Sequence, residues 1–124
     1  SLQPASVPYQ DAVFTLSRSA LLVAALVQSP ELLFEATEDR LHQDYRAEAM
    51  PETYELVQRL RAAGHAAVVS GAGPSILVLA ADPAARADAA GIVERSARSR
   101  WDSRMLAVDV RGATVVSLPM GAAD

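Results

Sequence analysis

Residues 65–80 read HAAVVSGAGPSILVLA, in which two short apolar runs flank a loop of small residues. The β-branched and aliphatic residues of these runs are typical of strands, so we expect strands at 65–70 and 76–80. Two residues suffice to turn one strand into the next, and this loop is longer. Its two glycines and its proline favour a bare backbone that approaches a ligand or another segment closely. A plain turn is the alternative.

The segment before this hairpin has helical periodicity. Residues 10–28 are predicted to form a helix buried on much of its circumference. Its apolar stripe consists of Val13, Leu16, Ala20, Val23, Ala24 and Val27, widened by Leu21, Leu22 and Leu26. Ser29 and Pro30 predict the start of a second helix that runs to about Arg40 or Arg46. Pro51 begins a third helix, and Gly64 ends it.

The segment after the hairpin predicts one more helix and two more strands. Asp82 and Pro83 are typical of a helix start, and residues 104–110 and 114–118 have strand patterns. Three helices, two strands, a helix and two strands predict the α+β class. We expect one domain, 1–124, with the helices on one face of a small, largely antiparallel four-stranded sheet.

Composition excludes several classes of function. The net charge of −4 disfavours a nucleic-acid-binding protein, which normally needs a basic face. Cysteine is absent, which excludes disulfides and thiolate metal sites, and lysine is absent, which excludes a P-loop lysine. The run 20–27 is too short to span a bilayer, and no signal-peptide pattern is present. We therefore expect a cytoplasmic protein without a membrane partner.

The glycine loop matches neither common nucleotide-binding motif. A Walker A loop ends in Gly-Lys-Ser/Thr, and a dinucleotide fingerprint would need a third glycine where Ile76 stands. Residues 69–75, VSGAGPS, instead resemble the third conserved motif of the GHMP small-molecule kinases. Residues 39–46, DRLHQDYR, and 11–20 resemble the segments of the homoserine kinase branch that carry two substrate arginines.

This resemblance covers nearly the whole chain and implies a ferredoxin-like C-terminal domain of a GHMP kinase. It implies that Arg18 and Arg46 grip the carboxylate of L-homoserine, a role suited to planar guanidinium groups. It offers His42 as a further substrate-binding residue. It places the glycine loop near the phosphate and the substrate. That loop consists of Ser70, Gly71, Ala72, Gly73, Pro74 and Ser75.

The resemblance also implies partners that these residues do not supply. ATP and Mg²⁺ would be bound mainly by an N-terminal domain, whose Pro-x-x-x-Gly-Leu-Gly-Ser-Ser-like loop does not occur in these 124 residues. The chain would pack against that domain, and a homodimer is also compatible. We assign no catalytic base and no metal ligand. Asp44 stands where the family often has proline, which leaves the local turn geometry open.

Three alternatives stay open at this point. They are another GHMP kinase, an amino-acid-binding regulatory α+β module, and a structural domain whose glycine loop is only a turn. Two further residues have ordinary structural interpretations. Asp39 is predicted to be a helix-surface charge, and His65 a structural histidine.

Overall fold

The structure is a computed structural model that describes residues 4–116. The helices of this part are α1 (Tyr9–Val27), α2 (Leu33–Ala36), α3 (Gln43–Arg46), α4 (Pro51–Ala62) and α5 (Pro83–Ser96). The strands are β1 (Ala66–Val69) and β2 (Ile76–Leu79). Single turns of 3₁₀ helix at Pro30–Leu32 and Ala47–Ala49 precede α2 and α4.

The hairpin forms as predicted. β1 and β2 pair antiparallel, with Ala66 opposite Leu79 and Val69 opposite Ile76. Helices with an antiparallel sheet confirm the α+β class. Within the described residues, 104–110 and 114–116 form no strand, and 117–118 lie outside that part. The four-stranded sheet with helices on one face therefore stays a prediction.

The hairpin joins two apolar clusters. Ala66 belongs to a cluster with Ala25, Leu33 and Ala36, which connects β1 to α1 and α2. The next residue, Ala67, belongs to a cluster with Leu60 and Ala89, which connects β1 to α4 and α5. The small side chains at 66 and 67 therefore let helices pack closely on the hairpin.

Two helix boundaries that the sequence predicted are confirmed by their hydrogen bonds. After α4, Gly64 has a φ of +90°, and its amide donates to the Arg61 carbonyl at 2.9 Å. The His65 amide donates to the Leu60 carbonyl at 3.0 Å, which completes a Schellman motif. At the start of α5, the Asp82 carboxylate accepts from the Ala85 amide at 2.9 Å.

The predicted apolar stripe of α1 is buried only in part within the described residues. Leu21, Leu22 and Ala25 face the core, whereas Val13 and Leu16 of the predicted stripe are exposed. The periodicity correctly indicates a helix with apolar residues on more than one side. It does not indicate which side the rest of this chain covers, because both sides satisfy the same spacing.

One helix of the described residues has the length and composition of a membrane span. It is α1, which has 19 residues and a mean hydropathy of 1.3 over its most apolar window. Core helices of soluble proteins pass the same test, so this observation is weak evidence for a membrane segment.

The second helix is shorter than predicted. α2 ends at Ala36, where the Thr37 hydroxyl donates to the Leu33 carbonyl at 2.8 Å, and helical structure resumes only at Gln43. Asp39 lies in the intervening turn, so the prediction of a helix-surface charge is also wrong. A threonine hydroxyl that bonds back to the preceding turn competes with helix continuation.

Glu52, in the first turn of α4, holds the segment that follows α5. Its carboxylate accepts from the Ser99 hydroxyl at 2.6 Å and from the Arg98 and Ser99 amides at 2.6 and 2.9 Å. These bonds, the Ser99 hydroxyl first, lower the pKa of Glu52 from 4.5 to about 2. A carboxyl that gains donors on folding favours its ionised form.

Glu52 is therefore expected to make stability depend on pH in the acid range. Because its pKa is lower in the folded protein, its contribution is complete above pH 4.5 and falls as the pH drops towards about 2. Urea unfolding at several pH values should show that the free energy of unfolding falls less at acid pH for Glu52→Gln than for the natural protein. Glu48→Gln, an exposed carboxylate change elsewhere, is the control. Equal pH dependence of Glu52→Gln and the natural protein would contradict this role.

Candidate functional site

The turn before α3 is built around Asp39. Its carboxylate accepts three consecutive amides, from Leu41 at 3.1 Å, His42 at 2.8 Å and Gln43 at 2.7 Å. Such a carboxylate satisfies amides that have no partner at a helix start. Asp39 thereby fixes the direction in which α3 leaves the turn.

The glycine loop has a defined conformation. The Ser70 amide donates to the Ser75 carbonyl at 2.8 Å, and the Gly73 amide donates to the Ser70 carbonyl at 3.1 Å. Gly71 and Gly73 have φ values of +58° and +79°, a region that other residues rarely adopt. The positive φ values of the loop therefore require glycine at both positions.

Three side chains tie this loop and the end of β1 to α3 and α4. Arg46 Nη1 donates to the Ala72 carbonyl at 2.7 Å, and Thr53 Oγ1 donates to the Pro74 carbonyl at 3.1 Å. The Val69 amide donates to Gln43 Oε1 at 2.8 Å. Two of the segments that resemble the kinase family therefore contact each other directly.

The two glycines differ in their surroundings. A Cβ atom on Gly73 would lie 2.5 Å from Met50 Sδ and 3.2 Å from Val69 Cγ1. A Cβ atom on Gly71 would meet nothing within 4 Å in the described structure. The close approach that the loop composition predicts thus occurs at Gly73, and its partner there lies within this chain.

Arg18 lies on α1 and pairs with the turn after α2. Its Nε donates to Glu38 Oε2 at 2.9 Å, and its guanidinium lies 4.5 Å from the centre of the Phe14 ring. Arg40 lies over the same ring at 3.7 Å and pairs with Asp11 at 3.5 Å. Arg18 is therefore held by this chain's own residues.

Arg61 of α4 joins α2 to β1. Its Nη1 donates to Thr37 Oγ1 at 3.0 Å and to the Ala67 carbonyl at 3.2 Å, and its Nη2 donates to the Phe34 carbonyl at 2.9 Å. Burial lowers the pKa of Arg61, while the negative charge of Glu38 opposes that shift. Glu38 thus pairs with Arg18 and also acts electrostatically on Arg61.

A cavity of about 350 Å³ opens between α1, the turn after α2, α3 and α4. Its charged lining residues carry both signs. They are Glu38, Asp39, Arg40, Asp44 and Arg61. Phe14, Phe34 and Val57 supply the apolar part of the wall. The two predicted substrate arginines, Arg18 and Arg46, are not among the residues that line this cavity.

Of the remaining predicted residues, His42 and Asp44 lie at the start of α3, and His65 lies just before β1. His42 is half-buried and precedes α3, where its amide donates to Asp39 Oδ2 at 2.8 Å. Asp44 accepts from the Tyr54 hydroxyl at 3.0 Å, which raises the pKa of Tyr54. The helical turn at α3 therefore forms with aspartate at this position. His65 pairs with Asp88 at 2.9 Å, a contact consistent with a structural role.

Sequence reasoning missed Gln43, Thr53 and Glu38. Gln43 and Thr53 hold the glycine loop, and Glu38 holds Arg18. Each is a common polar residue without a distinguishing spacing, so only the folded chain shows its partners. Within the described residues, no group of three or more histidines, cysteines or acidic residues is placed to hold a metal ion.

Comparison with known proteins decides the family. Residues 18–99 match the family described as GHMP kinases C terminal. The chain belongs to this family. The matched range includes Arg18, α3 and the whole glycine loop, so the contact between Arg46 and Ala72 and the pair of Arg18 with Glu38 lie inside it.

Several curated homoserine kinases resemble the chain closely. That of Clavibacter michiganensis subsp. michiganensis is 64% identical over 123 residues, which is 99% of this chain and 39% of that protein. That of Leifsonia xyli subsp. xyli is 67% identical over 115 residues, 93% of this chain and 36% of that protein. That of Streptomyces avermitilis is 55% identical over 117 residues, 94% and 37% respectively. The chain thus spans less than half the length of these relatives.

Proposed function

We propose that this GHMP chain is the C-terminal domain of a cytoplasmic homoserine kinase. The observation that carries the proposal is the 64% identity to a homoserine kinase across 99% of the chain. The complete enzyme would transfer the γ-phosphate of ATP to the hydroxyl of L-homoserine, a step in threonine biosynthesis. The remaining part of that enzyme would supply most of the contacts to ATP and Mg²⁺, and Mg²⁺ and the phosphate loop would neutralise charge on the transferring group.

In this proposal, the domain orients the amino-acid substrate. Homoserine carries a carboxylate and an ammonium group, and its terminal hydroxyl must face the phosphate. Arg46 supports this role because its Nη1 donates to the Ala72 carbonyl at 2.7 Å, which holds the guanidinium beside the glycine loop. A guanidinium held in this way can offer a remaining N–H group to a substrate carboxylate.

Arg18 would offer the other cationic group. Glu38 occupies its Nε, which leaves the end that carries Nη1 and Nη2 for a carboxylate. His42, beside α3, would add a polar contact. The glycine loop, tied to Arg46 through Ala72, would close over the substrate and move together with that arginine. Positioning of this kind supplies much of the rate enhancement in phosphoryl transfer.

An activity assay tests the proposal. The full-length protein that contains this chain should phosphorylate L-homoserine in the presence of ATP, whereas the 124 residues alone should not, because the phosphate loop would be missing. The assay follows ADP release with homoserine, mevalonate and galactose as separate substrates. Turnover by the 124 residues alone would contradict the assignment of the phosphate loop elsewhere. A preference for mevalonate or galactose would contradict homoserine as the substrate.

A further inference from the structure

The most prominent feature outside the candidate site is a row of apolar side chains along α1. We call this row the α1 stripe. It consists of Tyr9, Val13, Leu16, Ala20, Val23 and Val27, all of them exposed. The exposed fractions of Tyr9, Leu16 and Val27 are 82%, 68% and 73%. Contiguous exposed apolar surface on a folded domain typically marks a place where another element packs.

The α1 stripe lies opposite the face of α1 that packs on this chain. Leu21, Leu22 and Ala25 contact the core, at roughly 180° from the stripe for a helix with about 100° per residue. The two charged residues of α1, Asp11 and Arg18, turn towards Arg40 and Glu38 rather than towards the stripe. A helix with two apolar faces is normally buried on both of them.

The spacing within the stripe favours a helix as the packing partner. Its members alternate four and three residues apart, which is the spacing of a seam that packs along another helix. Several flanking residues are small and uncharged, among them Ala12, Ser17, Ser19 and Ala24. Small flanks let a second helix approach closely, and they lack the charges that normally specify a coiled-coil partner.

We propose that the α1 stripe is the surface on which the rest of the same kinase packs. This inference rests on the proposed function, since it takes the rest of the chain to be that of a homoserine kinase. The chain spans 39% and 36% of two such relatives, so well over half of a chain of that length would be available as the partner. Arg18 lies on the same helix, so this packing would also set the distance between the substrate arginine and the phosphate-binding part.

Hydroxyl-radical footprinting read by mass spectrometry tests the proposal directly. Leu16 and Val23 should be labelled strongly in the 124-residue chain, where they are 68% and 65% exposed. In the full-length protein their labelling should fall about fivefold or more, because an interface core excludes water. Leu60, which is fully buried, should stay unlabelled in both and report that each protein is folded.

Substitution supplies an independent test. Leu16→Ser with Val23→Ser should change the melting temperature of the 124-residue chain by less than about 2 °C, since both side chains are exposed there. The same two substitutions should lower the melting temperature of the full-length protein by at least about 5 °C. Ala87→Ser, on the exposed side of α5, is the matched control and should change neither.

Three outcomes would overturn the proposal. The first is equal labelling of the α1 stripe in the 124-residue and full-length proteins. The second is protection of the 124-residue chain that increases with its concentration, which would make a second copy the partner. The third is protection that appears only with phosphatidylglycerol vesicles, which would make a membrane the partner. None of these measurements uses kinase activity, so failure of the proposed substrate would not alter them.

Discussion

Replacing Arg46 with alanine in the full-length kinase is expected to lower kcat/KM for homoserine roughly ten- to a hundredfold, with little change in KM for ATP. The change would remove the proposed carboxylate contact and the hydrogen bond to the Ala72 carbonyl, which is 2.7 Å long. A charge-assisted bond contributes about 1.5–3 kcal/mol, which corresponds to that range. Arg18→Ala should show the same selectivity for homoserine.

The controls separate substrate binding from folding. Arg59→Ala removes an exposed arginine of α4 that pairs with Glu55, and it should leave both substrates unaffected. Arg46→Lys and Arg18→Lys should recover little activity, because an ammonium group does not form two parallel bonds to a carboxylate. Steady-state kinetics with each substrate varied in turn provide the measurement. Equal losses for homoserine and ATP would indicate general damage and contradict the assigned role.

Some parts of the fold can be predicted from local sequence signals alone. Asp82 and Gly64 determine their helix boundaries through atoms within a few residues, so the sequence predicts both boundaries correctly. The two strands of the hairpin are also local, because a short loop joins them. Signals of this kind depend on neighbours in the chain and are therefore visible without the fold.

Other features depend on partners distant in sequence. The apolar residues of α1 predict a helix but not its buried side, because both sides have helical spacing. The break after Ala36 depends on Thr37, whose hydroxyl also accepts a bond from Arg61, 24 residues away. The run 104–110 has a strand pattern, yet Val108 and Val110 are 89% and 94% exposed and pair with no strand in the described part. A strand needs a neighbouring edge as well as a pattern.

The residues of the candidate site also fall into a group that the sequence indicates and a group that only the fold reveals. The family resemblance indicates the glycine loop and the arginines, because these residues form recognisable motifs. The residues that hold them, such as Gln43 and Glu38, are indicated only by the folded chain. Arg46 and Ala72 of the loop are 26 residues apart in the sequence, so no local pattern predicts their hydrogen bond of 2.7 Å.

The two loop glycines are expected to respond differently to substitution by alanine in the 124-residue chain. Gly71→Ala should lower the free energy of unfolding by about 1–2 kcal/mol, the cost of a side chain in the left-handed region. Gly73→Ala should cost about 1–3 kcal/mol more, because its new Cβ would meet Met50 and Val69. Urea unfolding followed by circular dichroism gives both values.

A second substitution separates strain from steric conflict at Gly73. Met50→Ala removes the sulfur that would lie 2.5 Å from the new Cβ, so Gly73→Ala should cost less in that background than in the natural chain. The cost of Gly71→Ala should be the same in both backgrounds, because nothing lies within 4 Å of that position in the described structure.

In the full-length kinase, Gly73→Val should lower activity at least about tenfold through misplacement of the loop. Normal kinetics of Gly73→Val for both ATP and homoserine would show that the loop is only a turn.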